Sequence, residues 1–423
     1  MVTRWAKTGF LAGLEQLRGG MVRLECPGGT YRFGEPDGLD ATLTVRDERF
    51  FRRALTGADI GIGESYVDGD WTTPDLVALA RLMLRNRGAL ERRSPIARTL
   101  TTLAGAIARR LRDNSLAGSR RHIRQHYDLG NDFFRLFLDS TLLMYSSGYF
   151  ESSSDTLETA QMNKVDRICR MLALKPTDHV LEIGSGWGGF ARWASSRYGC
   201  RVTTTTISDE QYRHIREWKA TAGEAGSRVE ALRADYRELT GRFDKIVSIE
   251  MFEAVGLNRY DDYFKAVDRL LAPDGAMVLQ TITVDDQWFP HYHGSPDWIE
   301  KYIFPGGQLA SIGEVAKSLA RVSSLSMYAA ENFGTHYAHT LRAWRGRFLH
   351  HLEQVRALGF DDRFIRMWEF YLAICEAAFL ERHTGVFQLL LVKNGARGRL
   401  FNEPWSDMAK TGAALDARRE SAA

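Results

Sequence analysis

The run Val180-Leu181-Glu182-Ile183-Gly184-Ser185-Gly186-Trp187-Gly188-Gly189-Phe190 constrains this chain more than any other stretch. An apolar run ends in a glycine-rich turn and then enters a helix-like pattern. That layout builds a nucleotide-type cofactor site at the edge of a parallel sheet. Gly184 lets the chain leave the strand tightly, through backbone angles closed to other residues. Gly186 lets the backbone approach a ligand, and Gly189 lets the helix pack near the strand. The same three glycines satisfy the dinucleotide pattern G-x-G-x-x-G, which alone is weak evidence and also fits an ordinary packing turn.

Two details separate the cofactors. A dinucleotide site expects a carboxylate about 20 residues on, at the end of the second strand, to hold a ribose. Here that region reads Arg201-Val202-Thr203-Thr204-Thr205-Thr206-Ile207, with no acid. Glu182 instead stands two residues before the first glycine. The pattern E-x-G-x-G-x-G, made by Glu182, Gly184, Gly186 and Gly188, resembles motif I of the S-adenosylmethionine-dependent methyltransferases. That resemblance implies that the acid helps position the amino end of the cofactor's methionine. Ala234-Asp235-Tyr236, after the run Val229–Leu232, resembles the adenine-edge position of the same fold. Phe243–Ile249 is expected as the fourth strand, ending over the cofactor.

The rest of the chain sets the frame. A length of 423 residues is too great for one typical compact core and favours two domains. Apolar residues make up 44% and charged residues 26%, a globular balance, and no apolar run reaches the ~20 residues of a bilayer span. The start, Met1–Lys7, lacks a secretory apolar core. Cys26, Cys169, Cys200 and Cys375 form no C-x-x-C pair, which argues against a zinc site or a disulfide framework, so no metal is expected. A reducing cytoplasm is the simplest home.

Residues 1–112 read as a first, smaller α+β unit. Its expected strands are Met21–Leu24, Thr30–Phe33 and Ala41–Val45; its expected helices are Glu48–Leu55 and Leu76–Asn86. Gly61-Ile62-Gly63-Glu64-Ser65-Tyr66-Val67-Asp68-Gly69-Asp70-Trp71 reads as turn-rich. A polar break at 113–119 is the expected linker. Residues 120–400 alternate helix and strand as a doubly wound α/β sheet requires, and 401–423 read as a frayed tail.

Basic residues crowd the join: Arg81, Arg85, Arg87, Arg92, Arg93, Arg98, Arg109, Arg110, Arg112, Arg120, Arg121 and Arg124. Ile96, Leu100, Leu103, Ile107 and Leu111 recur among them at helical spacing. A basic amphipathic helix of this kind fits an anionic membrane surface, and equally a solvated helix packed on its own domain. Nucleic acid is the poorer partner, since no recognition motif accompanies the charge.

Further segments lie around the expected sheet. They are HYDLGNDFF (126–134), YSSGYF (145–150), TISDEQ (206–211), MFEAVG (251–256), YIFPGG (302–307) and NFGTHY (332–337). With LEIGSGWGGFA (181–191) they resemble, in this order, the cyclopropane-fatty-acyl-phospholipid synthase and mycolic acid cyclopropane synthase family. The resemblance runs from about Gly61 to Val392. GIGESYVDGDW resembles the amino-terminal extension of the phospholipid-acting members, which implies lipid contact and a homodimer.

The resemblance implies a Rossmann-like methyltransferase fold and methyl transfer from S-adenosylmethionine to a double bond in an acyl chain of a membrane phospholipid. It implies a cytoplasmic enzyme, peripheral on the inner membrane face. The cofactor residues it implies are Tyr145, Ser146, Glu182, Gly184, Gly186, Gly188, Thr206, Gln211, Asp235, Tyr236 and Ile249. Methyl transfer leaves a carbocation that must lose a proton, and a bound bicarbonate is the family's base. Glu253 and Tyr337 match its carboxylate and phenol, and Ile282 its backbone contact. Ser147 stands for the usual cysteine, Gln280 for the usual histidine, and Ala254 for the histidine after the glutamate. Ser147 and Gln280 still donate hydrogen bonds, but Gln280 supplies neither charge nor proton transfer. Aromatic rings suited to a cation are Tyr127, Tyr145, Tyr149, Phe252, Phe304 and Tyr337. The product is left open between a cyclopropane and a methyl-branched or furan-pathway chain. A lipid- and cofactor-binding protein without catalysis and a small-molecule methyltransferase are the other readings.

Overall fold

The computed structural model describes residues 2–87, 129–294 and 297–394. The basic residues from Arg92 to Arg124, Tyr127, the expected boundary at 112–120 and the tail from 401 lie outside the described residues.

The first part runs α1 (Val2–Leu14), β1 (Gly20–Cys26), β2 (Gly29–Gly34), β3 (Leu39–Val45), α2 (Arg49–Val67), β4 (Trp71–Thr72) and α3 (Leu76–Arg85). Its strands form a sheet in the order β2-β1-β3-β4. The three expected strands fall inside β1, β2 and β3. Along β1 alternate side chains turn inward, so Val22 and Leu24 are fully buried. Asp75 caps α3 by accepting the Ala78 N–H at 2.9 Å.

The segment read as turn-rich is mostly helix. α2 does not stop at Leu55 but continues, across a kink at Ala58 (φ 46°), to Val67; only Asp68–Asp70 turns. The glycines there serve close approach. A Cβ added to Gly61 would lie 2.0 Å from the Arg53 carbonyl oxygen, and one added to Gly63 would lie 2.4 Å from the Trp298 ring and 2.9 Å from Phe370. Packing, which a local pattern does not display, overrides the turn signal of Gly61 and Gly63.

The second part begins with α4 (Asn131–Arg135) and α5 (Leu157–Met171). The sheet follows: β5 (His179–Ile183), α6 (Gly189–Trp193), β6 (Arg201–Thr205), α7 (Asp209–Thr221), α8 (Gly223–Ser227), β7 (Val229–Leu232), β8 (Phe243–Ile249), α9 (Tyr260–Leu270) and β9 (Leu271–Val284). Then come α10 (Phe289–Gly294), α11 (Trp298–Tyr302), α12 (Ile312–Val322), β10 (Leu325–Asn332), α13 (Gly334–His350), α14 (Leu352–Ala357), α15 (Asp362–Leu380) and β11 (Thr384–Lys393). The seven strands order as β10-β11-β9-β8-β5-β6-β7. β5 to β9 are parallel, and β11 and β10 add an antiparallel edge. The expected third and fourth strands coincide with β7 and β8. β5 lies between β6 and β8, so the winding reverses there, and a crevice opens past the carboxyl ends of β5 and β8.

The two parts share a core. Phe50, Tyr66 and Trp71 from the first join Trp298, Trp368 and Phe370 from the second in one buried cluster. α15 supplies the polar seam. Tyr66 donates its hydroxyl to Glu369 at 2.9 Å, and Arg366 donates to the carbonyls of Tyr66 and Trp71 while lying 4.0 Å over the Tyr66 ring. Two of the arginines counted in the basic stretch, Arg81 and Arg85, both pair with Glu381. Arg87 stacks 4.6 Å over Trp288.

Gly63→Val should therefore loosen the seam. We expect a loss of about 1 to 3 kcal/mol of unfolding free energy, since overpacking a filled contact forces its neighbours to shift. Denaturant titration measures it, and a variant as stable as the parent would contradict the tight Gly63–Trp298 contact.

Candidate active site

The glycine loop leaves β5 with Gly184 at φ +90°, Gly186 at +49° and Gly188 at +85°, all angles that favour glycine. A Cβ on Gly184 would press on Met251 at 2.8 Å. Gly189 has ordinary angles, and its close neighbour differs from the expected one. An added Cβ would meet Met144 Sδ at 2.3 Å and the Leu142 carbonyl at 2.7 Å, so the helix start closes on segment 142–144 rather than on the strand. A Cβ on Gly186 would meet no protein atom within 4 Å. Its open side faces a cavity of about 1320 Å³. Gly188 packs on Ile215 and does not line that cavity.

The other implied cofactor residues do line it: Tyr145, Ser146, Glu182, Gly184, Gly186, Thr206, Gln211, Asp235, Tyr236 and Ile249. Glu182 is buried opposite Thr204 of β6, whose hydroxyl donates to its carboxylate at 2.5 Å. Burial pushes Glu182 up to about 8. A cationic group arriving beside it would pull that value down. Thr206 donates to Gln211 at 2.8 Å, and Asp235 pairs with Arg237 at 2.7 Å. An S-adenosylmethionine fits this lining: acid and backbone for the methionine end, Asp235 and Tyr236 beyond the third parallel strand.

The acid centre differs from the expected arrangement. Ser147, Gln280 and Tyr337 do not converge on Glu253. They converge on Glu250, the residue just after β8. The Ser147 N–H donates to Glu250 Oε1 at 2.9 Å, Gln280 Nε2 to the same oxygen at 2.8 Å, and the Tyr337 hydroxyl to Oε2 at 2.8 Å. Glu250 holds φ +48°, a left-handed angle that a non-glycine residue rarely keeps without a compensating role. Sequence reasoning passed it over because its neighbour Glu253 carried the motif match. The available signal was a second acid inside the apolar run Ser248-Ile249-Glu250-Met251-Phe252.

Glu253 has its own partners. Its Oε1 accepts the Ile282 N–H at 2.5 Å and the Thr281 hydroxyl at 3.1 Å, while among the described residues its Oε2 has none. Desolvation and the nearby charge of Glu250 push Glu253 up to about 8. Burial also raises Glu250, but the buried ammonium of Lys164 and its three donors draw it back. The two acids titrate as a pair, and the proton belongs on Glu253, the less solvated partner. Glu250, Glu253, Ile282 and Tyr337 line the cavity; Ser147 and Gln280 stand behind Glu250, fully buried.

Of the expected aromatic rings, Tyr145, Phe304 and Tyr337 line the cavity. Phe252 is instead core, packed on Tyr260 and Tyr263, and Tyr149 bonds Glu331 under Arg167. Tyr371, not expected from the sequence, lines the cavity and shares a 3.0 Å hydrogen bond with Tyr145.

The family model described as mycolic acid cyclopropane synthetase matches residues 114–389. The tuberculostearic acid methyltransferase UfaA1 of Mycobacterium tuberculosis is 36% identical over 83% of this chain and 82% of its own length. The cyclopropane-fatty-acyl-phospholipid synthase of Escherichia coli is 38% identical over 84% of this chain and 90% of its own. The solved mycolic acid cyclopropane synthase CmaA1, complexed with SAH and CTAB, matches with a TM-score of 0.60 at 33% identity, over 65% of this chain and 98% of that one. Sheet, glycine loop and these likenesses together make the chain an S-adenosylmethionine-dependent C-methyltransferase. It belongs to the cyclopropane synthase family.

Two outcomes follow from this geometry. Gly186→Val should weaken S-adenosylhomocysteine binding at least about tenfold, because the side chain would fill the cradle, at a folding cost of about 1–2 kcal/mol for the left-handed angle. Calorimetric titration reads the first and thermal unfolding the second. Glu253, raised to about 8 from 4.5, binds its proton more tightly folded than unfolded. Its contribution to stability is then full below about 4.5 and is lost as pH rises towards 8. Glu253→Gln should flatten the pH dependence of stability in that window; an unaltered slope would count against a neutral Glu253.

Proposed function

We propose that this enzyme methylates the double bond of an unsaturated acyl chain in a membrane phospholipid, and that Glu250 takes up the proton released. The observation that carries this is the Glu250 carboxyl group, hydrogen-bonded by three donors on the wall of the cofactor cavity. The donors that the family resemblance assigns to a bicarbonate are engaged by the chain's own carboxylate. A tethered base in that seat offsets the loss of a histidine at Gln280.

Bound S-adenosylmethionine supplies an electrophilic methyl group. The cavity supplies the rest. Tyr145, Phe304, Tyr337 and Tyr371 present ring faces that favour a cation without trapping it. Glu250 accepts the proton of the methylated chain, whether from the added methyl, which closes a ring, or from a neighbouring carbon, which leaves an alkene. Glu253 is neutral and does not compete for it.

The acyl chain has room. The same cavity continues between the first part's helices, lined by Phe10, Phe50, Ile62, Leu79 and Met83. That lining suits a long hydrocarbon better than a small polar acceptor. Two relatives, a cyclopropane-fatty-acyl-phospholipid synthase and a tuberculostearic acid methyltransferase, favour the same substrate class. No described helix is long and apolar enough to cross a membrane. Access to the lipid is therefore read as peripheral, through the basic stretch.

With methyl-labelled cofactor and vesicles of unsaturated phospholipid, label should enter the acyl fraction. Glu250→Gln should lower that turnover by at least about 100-fold, the usual scale of a lost general base, with cofactor affinity nearly unchanged. Label confined to head groups or to soluble acceptors would sink the substrate assignment. Full activity in the variant would remove Glu250 from the chemistry. Fragmentation of the released fatty acids separates ring from branched alkene.

A further inference from the structure

Behind the base, α5 carries two buried cations that the chemistry above does not use. Lys164 and Arg167 are three residues apart, so both lie on one helical face. Lys164 is fully buried and donates to Ser146 Oγ at 2.6 Å. Gln161, one turn earlier, donates to the Ser146 carbonyl at 2.8 Å. Together they fix the loop whose next residue, Ser147, donates its N–H to Glu250. Arg167 reaches Glu250 by another route. It donates to Gln388 Oε1, Gln388 Nε2 donates to Gln280 Oε1 at 2.9 Å, and Gln280 Nε2 donates to Glu250 at 2.8 Å. Because a guanidinium has no acceptor, it fixes the orientation of both amides in turn. Gln280 must then present its NH2 to Glu250.

We propose that Lys164 and Arg167 are the positioning cations of this active site: Lys164 anchors the loop that presents the Ser147 N–H to Glu250, and Arg167 aims the Gln280 donor through Gln388. This rests on the reading of Glu250 as the base. It explains how a site with glutamine in place of histidine keeps positive charge beside its carboxylate.

Beyond its hydrogen bond to Ser146, Lys164 interacts more strongly with Glu250 than with the other nearby acids. Three acids face it: Glu250, Asp139 and Glu182. Asp139 already accepts four backbone N–H groups, from Thr141, Leu142, Leu143 and Met144. Glu182 accepts the Thr204 hydroxyl and lines the cavity, where the amino end of a bound cofactor would engage it. Burial lowers Lys164 to about 8, so it is still charged at neutral pH. Glu250 in turn faces Lys164, the donors on Ser147, Gln280 and Tyr337, and the neighbouring Glu253. Removing the ammonium leaves burial opposed by the three donors alone, and the acid form of Glu250 gains.

The test is the pH profile of kcat at saturating cofactor and lipid vesicle, in the parent, Lys164→Met, Gln388→Leu and Glu250→Gln. Lys164→Met should move the acidic limb upward by about 1 to 3 pH units, the range set by one close opposite charge. Gln388→Leu should move it the same way by less. A residue that merely filled space would lower kcat at every pH without moving the limb. Limbs unmoved in both variants overturn the proposal. If Lys164→Met does not fold, Gln388→Leu decides: a limb unmoved there overturns it. Should Glu250→Gln keep the parent's limb and rate, the base assignment fails, and this inference with it.

Discussion

A carboxylate withdrawn from water stays ionised only if the protein replaces its hydration with donors and positive charge. Glu250 is that carboxylate, and the second part of this chain is organised around meeting its needs. Its donors come from a loop before the sheet, from β9 and from α13. Each must be held to within a few tenths of an ångström of its place. The loop is tied to α5 through Lys164 and Gln161, and β9 to β11 through Gln388. The strained angle at Glu250 persists because four segments determine its position together.

The sheet explains why these groups meet the cofactor. β5 and β8 are neighbours at the point where the winding reverses. The glycine loop leaves one and Glu250 leaves the other, so methyl donor site and base face each other by topology alone. The first part of the chain completes the site from the far side. Its helices α2 and α3 pack on α15, and their apolar faces wall the cavity. The glycine loop, Glu250 and the apolar faces of the first part line one continuous cavity.

Much of this was legible in sequence, for identifiable reasons. β7 and β8 are short runs bounded by polar residues, so they emerge with their ends intact. The glycine loop carries its chemistry in backbone angles that few other residues tolerate. Gly63 misleads for the opposite reason: it is there for Trp298 and Phe370, more than two hundred residues away, and nothing local reveals that. Arg81 and Arg85 looked like surface charge until Glu381 stood opposite them. Glu250 was overlooked because an isolated acid beside a stronger motif match has no distinguishing pattern. Lys164 and Tyr371 were overlooked because one lies in a polar helix and the other in an aromatic-rich one.

The sequence by itself determined the cofactor turn, the parallel sheet, the family and the pair of substitutions at Ser147 and Gln280. These depend on backbone rules and on residue type, which are written locally. Only the tertiary structure decided which acid gathers the donors, which keeps an oxygen unpaired among the described residues and where the buried cations lie. Those are properties of distance and desolvation. Glu250 and Glu253 are three residues apart and chemically identical; three donors gather on one, and the other keeps an oxygen that no described residue pairs with.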